Sequence, residues 1–469
     1  AIASALKSEK PNRYSVIGFI DKGERNKSKQ ILGLPIISIQ RNVALTLRIY
    51  KAQALIIADK NITKQETVAL IDRCLDYNLK VYRAPLLSDI EENKNITSQI
   101  EKIQIEDILE RDPIKLDNKL VAKEIFNKCV IVTGGAGSIG SEIVRQVAGY
   151  KPKKLIIIDH AESPLYQIQL EIKNTFPKLN FEAIINDIRN FEKTESIFQQ
   201  NTPDVVFHAA AYKHVPLMEN YPAEAIFANV QGSKNIADLA LKYNAEKFVM
   251  VSTDKAVNPS NVMGASKRIA EIYVQALQEY SNRDLKKTTG FVTTRFGNVL
   301  GSNGSVVPLF KRQIEEGGPL TITHPDIIRY FMTISEACQL VIEAGAMGNG
   351  GEVFIFDMGE AVKIIDLAKK IIRLAGYTPY KEIDIKVIGL RPGEKLYEEL
   401  LNENSSTLPT YNDKIMIAKV ETYDYDKICN DISELLEFSN SQNKDAIVKK
   451  MKAIVPEFIS MNSDYKKLD

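Results

Sequence analysis

Residues 251–267 read VSTDKAVNPSNVMGASK and set a hydroxyl, a carboxylate and an amine side by side: Thr253, Asp254 and Lys255. An adjacent acid and base can protonate one atom of a substrate and deprotonate its neighbour, each contributing roughly 10²–10⁴ in rate. In that use Asp254 is the acid and Lys255 the base, and both begin in their neutral forms. Desolvation favours those forms and mutual attraction opposes them; such a pair titrates as a unit. The other reading of the pair is an ordinary ion pair at a strand end. Met263 and Lys267 are spaced i, i+4, which places them on one helical face. A thioether has no titratable proton, so on this face only Lys267 can shift a nearby proton equilibrium.

These residues need elements to position them. KFVMVSTDKA (247–256) reads as a buried strand ending at the Thr-Asp-Lys step, and NVMGASKRIAEIYVQALQEY (261–280) as a helix with Asn261 as N-cap. KCVIVTGGAGSIG, KKLIIIDHAE, NFEAIINDIR, PDVVFHAAA and GFVTTRFGNV are further β-branched runs separated by helix-length segments. That alternation predicts a parallel sheet covered on both faces, with Thr253, Asp254 and Lys255 just outside its carboxyl edge, where open α/β sheets bind ligands.

The first of these strands runs into Gly134, Gly137, Ser138, Ile139 and Gly140 at the start of a helix. Glycines there allow a tight turn and let backbone N–H groups approach a pyrophosphate. Asp159 ends the second strand, where a carboxylate accepts from both adenosine ribose hydroxyls and repels a 2′-phosphate; the expected cofactor is therefore NAD. A helix N-cap is the alternative role for Asp159. Asp187 and Ile188 suit the adenine edge, Ala209 and Ala210 leave room for the cofactor backbone, and Lys267 can hold the nicotinamide ribose. The fold class is thus α/β: an NAD-binding, Rossmann-type doubly wound sheet over 128–300, then a smaller substrate lobe and tail over 301–469 with some chain exchange. Before it, residues 1–88 read as a small α/β domain without a glycine-rich loop, and 89–127 as a charged connector.

Composition narrows the function. Among 469 residues, 61 Lys and Arg balance 60 Asp and Glu, so no global field favours nucleic acid. The four cysteines and four histidines are scattered without ligand spacing, so neither a metal site nor a disulfide framework is expected. No apolar run approaches the roughly 20 residues that span a bilayer.

The chain resembles the extended short-chain dehydrogenase/reductases. More narrowly, it is similar to the polysaccharide-biosynthesis group of UDP-N-acetylglucosamine 4,6-dehydratases. The resemblance rests on TGGAGSIGSE, HAAAYKHVPLME, STDKAVNPSNVMGASK, RFGNVLGSNGSVVPLF and LRPGEKLYEEL, and runs from about residue 12 to 430. It implies redox-neutral dehydration of UDP-N-acetylglucosamine to a 2-acetamido-2,6-dideoxy-4-ketohexose, for surface polysaccharide or glycan synthesis. It further implies that Asn298, Arg329, Arg391 and Glu394 face the substrate, with Lys213 within reach. Position 263 is commonly tyrosine in this chemistry, but often methionine in the long, membrane-anchored members, and Met263 agrees with those. An anchor upstream of residue 1, a place at the cytoplasmic face of the inner membrane, and a homodimer or higher homo-oligomer follow from the resemblance alone. Two other readings stay open: an NAD-dependent UDP-sugar 4-epimerase, and a catalytically silent sensor of NAD or nucleotide sugar, which the loss of the tyrosine motivates.

Overall fold

The computed structural model describes residues 2–8, 14–21, 29–38, 43–58, 62–77, 79–84, 99–108, 118–285, 289–399 and 407–469. Residues 89–98 and 109–117 of the expected connector lie outside them. The chain divides into two compact units.

The larger unit holds residues 113–308, 323–364 and 387–469. Its centre is a nine-stranded sheet. The strands are β1 (Cys129–Thr133), β2 (Lys154–Asp159), β3 (Phe181–Ile185), β4 (Val205–His208), β5 (Lys247–Val251), β6 (Gly290–Arg295), β7 (Val353–Phe356), β8 (Thr407–Pro409) and β9 (Ile415–Ala418). They lie in the order β8-β9-β7-β6-β5-β4-β1-β2-β3. β1 to β7 are parallel; β9 runs antiparallel to β7, and β8 antiparallel to β9.

The period of two along each strand explains why the runs are apolar throughout. Val130 and Val132 of β1 join one core, with Leu155, Ile157, Phe207 and Val249, while Ile131 points into the other, with Ile156, Ile158, Val206 and Phe248. The order reverses between β1 and β4, and the crevice at such a switch point is where ligands bind.

Two helices matter most. α1 (Ser138–Gly149) follows the glycine turn, and α2 (Val262–Tyr280) carries Met263 and Lys267. Asn261 caps α2 by accepting the Gly264 N–H at 2.8 Å. α2 is apolar on more than one face because the sheet takes one side and two C-terminal helices, α3 (Tyr425–Asn440) and α4 (Lys444–Ile454), take another; Ile269, Ile272 and Val274 share a core with Ile428, Ile432, Leu435, Ile447 and Met451. A helix over 118–125 adds Val121 and Ile125 to the opposite core.

The smaller unit comprises residues 1–112, 309–322 and 365–386. Phe19–Asp21 pairs in parallel with Leu34–Ser38, and Ala54–Ile57 with Lys80–Arg83. Its helix Lys64–Asp76 opens on a capping box, Thr63 with Glu66, as the TKQE sequence requires. Asp72 and Asp76 of that helix pair with Lys370 at 3.0 Å and Arg373 at 2.9 Å, which ties the 365–386 segment into this unit.

Candidate active site

The glycine turn is shaped by contacts that exclude side chains. Gly134 has φ +66°, and a Cβ there would stand 2.6 Å from the backbone N and Cα of Ala210. A Cβ on Gly140 would stand 2.0 Å from the Gly134 carbonyl oxygen. β1, β4 and α1 therefore meet at backbone distance. Gly137 is the N-cap of α1 and, lacking a side chain, leaves the first amides of the helix without a side-chain acceptor; this positive helix end favours an anion. Ser138 and Ile139 form its first turn, and the Ser138 hydroxyl accepts the Asn303 N–H at 3.1 Å, which brings the GSNGS loop to the turn.

Asp159 is buried at the end of β2. One carboxylate oxygen accepts the Ala136 N–H and the other the Ala161 N–H, both at 2.9 Å. Ala161, not Asp159, is the N-cap of the next helix. Asp187 is bound by Arg189, which also reaches Glu224. Burial would raise the Asp187 pKa, but the Arg189 guanidinium overrides it and holds the carboxyl below its usual range. Ile188 lies buried under Gly232, where a Cβ would come within 2.6 Å of its Cδ1. Ala209 donates its N–H to Thr133 at 3.1 Å. Lys213 is exposed just beyond, in a segment clamped by Asn229, whose side chain both accepts from and donates to the Tyr212 backbone and also donates to Ser266 on α2.

The acid–base pair sits where β5 ends. Asp254 is 2% exposed. Its Oδ1 accepts from the Thr253 hydroxyl at 2.8 Å and from Lys255 Nζ at 2.9 Å. Lys255 Nζ also donates to Asn298 Oδ1 at 3.3 Å and stands 3.9 Å from Glu398 Oε1. Burial works to lower the Lys255 pKa, but the Asp254 and Glu398 carboxylates outweigh it and hold the ammonium above its ordinary value of 10.5. The pair is thus an ion pair here. The expectation of two neutral groups omitted the second carboxylate.

Met263 is 4% exposed and belongs to the apolar core beside α2. Lys267, one turn on, is buried and donates to the Val251 carbonyl at 2.8 Å. Burial brings its pKa down to about 8. The ammonium is therefore present below that pH and lost above it. If its charge is used, kcat/KM should fall as pH rises through about 8; a profile flat over about pH 7–9 would exclude that use.

The substrate residues implied by the resemblance divide. Asn298 touches Lys255. Arg329 is buried, and its guanidinium donates to the carbonyls of Ile328, Lys395 and Leu396 and lies 3.6 Å from both Glu394 and Glu398. It anchors the RPGEK segment. Glu394 accepts from the Thr323 hydroxyl and the Arg391 N–H, while Arg391 is exposed. Two residues missed in the sequence complete the site. Glu398 faces Lys255, and Gly264 lets the Lys255 carbonyl approach α2, where a Cβ would stand 2.1 Å from it. The Gly in NVMGASK was a usable signal; nothing in LYEEL distinguished Glu398 from Glu399. Among the described residues no cluster of His, Cys, Asp and Glu could hold a metal ion, and no helix is long and apolar enough to cross a membrane.

Residues 130–420, which carry all of this machinery, match the family model described as "Polysaccharide biosynthesis protein". The chain belongs to that family. A relative from Staphylococcus aureus, capsular polysaccharide biosynthesis protein CapD, is 42% identical over 451 residues, covering 96% of this chain and 74% of its own. A UDP-glucose 4-epimerase of Rickettsia canadensis is 37% identical over 285 residues, 59% of this chain and 78% of its own. An inverting UDP-N-acetylglucosamine 4,6-dehydratase of Campylobacter jejuni is 35% identical over 288 residues, 61% and 80%. The solved structure of Pen from Bacillus thuringiensis superposes with TM-score 0.57 at 32% identity, covering 68% of this chain and 99% of that one. The fold of this family member is accordingly the Rossmann-type α/β fold read from the sequence.

Proposed function

We propose that this protein is a UDP-N-acetylglucosamine 4,6-dehydratase with tightly bound NAD. The observation that carries the reading is the hydrogen-bonded Thr253-Asp254-Lys255 cluster at the sheet's carboxyl edge, with Asp254 buried: a 4-epimerase passes a hydride at C4 and has no use for an acid–base pair directed at C5 and C6. The epimerase relatives share the fold and the first oxidation, so the pair rather than the likeness separates the two.

The cradle fits NAD: glycine at 134 and 140 lets β1, β4 and α1 meet at backbone distance, the first amides of α1 have no side-chain acceptor and so suit a pyrophosphate, and a carboxylate at Asp159 would repel a 2′-phosphate. Gly134, Gly137, Ser138, Ile139 and Gly140 would hold the pyrophosphate, Asp159 the adenosine ribose, Asp187 and Ile188 the adenine edge, Ala209 and Ala210 the cofactor backbone, and Lys267 the nicotinamide ribose. When bound, the nicotinamide supplies a reversible hydride acceptor, which oxidation at C4 and reduction at C6 need in turn.

The chain's own residues manage the protons. Thr253 donates to Asp254 and accepts the Lys255 N–H at 3.4 Å, which leaves one lone pair of its oxygen to accept from the C4 hydroxyl, whose proton passes to water. A C4 ketone acidifies C5–H. One proton crossing the 2.9 Å contact from Lys255 Nζ to Asp254 Oδ1 arms both groups. Lys255 then removes the C5 proton while Asp254 protonates the departing C6 hydroxyl, which leaves as water. That step restores the ion pair in the structure; Lys255, whose ammonium also carries protons taken from solvent, delivers one of its three to C5, and a proton from water resets the pair. Met263 takes no part in these transfers. Asn298 steadies Lys255, while Arg391, Glu394 and Lys213 would border the nucleotide side, with Arg329 holding the segment that carries Arg391 and Glu394.

Deuterated water separates the readings. Dehydration should place solvent deuterium at C5 of the product; 4-epimerisation leaves C5 unlabelled, and a product without C5 label would overturn the assignment.

A further inference from the structure

The ammonium of Lys255 lies between two carboxylates, and the second comes from a segment far along the chain. Glu398 is almost fully buried, with a side chain 6% exposed, 3.9 Å from Lys255 Nζ and 3.6 Å from Arg329. With Glu394 also 3.6 Å from Arg329, the charges alternate in one line: Asp254, Lys255, Glu398, Arg329, Glu394. A buried charge without a partner is expensive, so this line needs each member.

Glu398 is placed by a built support. Arg329 donates to the carbonyls of Lys395 and Leu396, and the Leu396 carbonyl also accepts the Ile328 N–H at 3.1 Å. The neighbouring Glu399 accepts from Asn258 at 2.9 Å and from Lys395 at 3.2 Å, which pins the same segment to the loop after the Thr-Asp-Lys step. Glu398 has no place in the proton transfers derived above, where Asp254 and Lys255 suffice.

We propose that Glu398 is a positioning residue of the acid–base pair: its carboxylate fixes the Lys255 ammonium between two anions and so sets the pH range over which Lys255 can give up its proton. The proposal rests on the dehydratase reading for its use in turnover, but the charge coupling itself does not. The groups facing Lys255 are Asp254 on its own segment, Glu398, and Arg329 from the strand Ile328–Met332, with neutral Asn298 beside them. Asp254 and Glu398 raise the lysine's proton affinity, and Arg329 and burial oppose them. Removing the Glu398 charge takes away one of the two carboxylates that hold the ammonium and leaves none between Lys255 and Arg329, so the Lys255 midpoint must fall. An opposite charge at this range shifts a pKa by about 1–3 units.

The test is an NMR titration of the full chain labelled with ε-¹³C lysine, in which Lys255→Arg identifies the Lys255 signal by its disappearance. In the parent protein the signal should stay at its charged position through the ordinary lysine value of 10.5. In Glu398→Gln it should titrate at a lower pH than in the parent, while the Lys267 signal stays where it was. Glu398→Asp, which keeps the charge but withdraws it by one methylene, should shift the midpoint in the same direction by less and serves if the glutamine variant does not fold. A Lys255 midpoint unchanged in a folded Glu398 variant overturns the proposal and leaves Glu398 as a structural partner of Arg329 alone. Formation of a 4-keto product is assayed separately, so failure of the dehydratase reading would leave this titration interpretable.

Discussion

Asp254→Asn should lower kcat for dehydration by roughly 10²–10⁴ while leaving the cofactor bound. The amide is isosteric and can still accept from the Thr253 hydroxyl, which stands 2.8 Å away, so the local fold should survive. It cannot accept the Lys255 proton, so neither arming of the pair nor protonation of the C6 oxygen is available. The glycine turn, on the other side of β4, is untouched. The check is a steady-state rate with UDP-N-acetylglucosamine beside the absorbance of co-purified nicotinamide. A kcat within about fivefold of the parent would remove Asp254 from the chemistry, since a positioned acid contributes far more than that.

Gly140→Ala should abolish cofactor retention. Its Cβ would stand 2.0 Å from the Gly134 oxygen and 2.7 Å from the Gly134 carbonyl carbon, and backbone cannot yield as a flexible side chain can. Nor can the turn retreat: Gly134 already abuts Ala210, the Gly135 N–H donates to Ile158 at 3.1 Å, and the Gly137 N–H donates to Gly134 at 3.0 Å. Helix α1 must move away, taking its amides from the anion site, at a stability cost of about 1–3 kcal/mol typical of overpacking. Gly149→Ala at the other end of the helix is the matched control. Nothing lies within 4 Å of its Cβ, so it should hold the cofactor and gain up to about 1 kcal/mol from the stiffer unfolded chain. Cofactor content and thermal unfolding of the two variants decide the matter; normal cofactor content in Gly140→Ala would contradict the assigned cradle.

Where one short stretch of sequence determines one local geometry, the sequence was readable. The glycine turn, the strand ending just before the Thr-Asp-Lys step and the Asn261 cap of α2 are of this kind, because strand period, turn chemistry and capping are local. The failures share a physical cause in long-range contact. GFVTTRFGNV reads as one strand, but the chain leaves the sheet after Arg295, and Asn298–Val299 pairs instead with Phe331 and Met332. The short run IMIA extends the sheet antiparallel to β7, which a run of four apolar residues does not announce. Arg329 looks like a free phosphate ligand until the carbonyls of 395 and 396 are found on its guanidinium. The charge state of Lys255 turned on a carboxylate 143 positions away in the chain, at Glu398.

The central claim is that this site dehydrates UDP-N-acetylglucosamine through its own retained NAD, with methionine at position 263. A proton NMR time course with that substrate and no added NAD tests it most directly. The account predicts a new C6 methyl doublet beside the 4-keto or hydrated product, at a rate beyond one turnover per protein. Demonstrated binding of both nucleotide sugar and NAD, with no methyl signal even after NAD is added, would contradict it and favour a silent sensor.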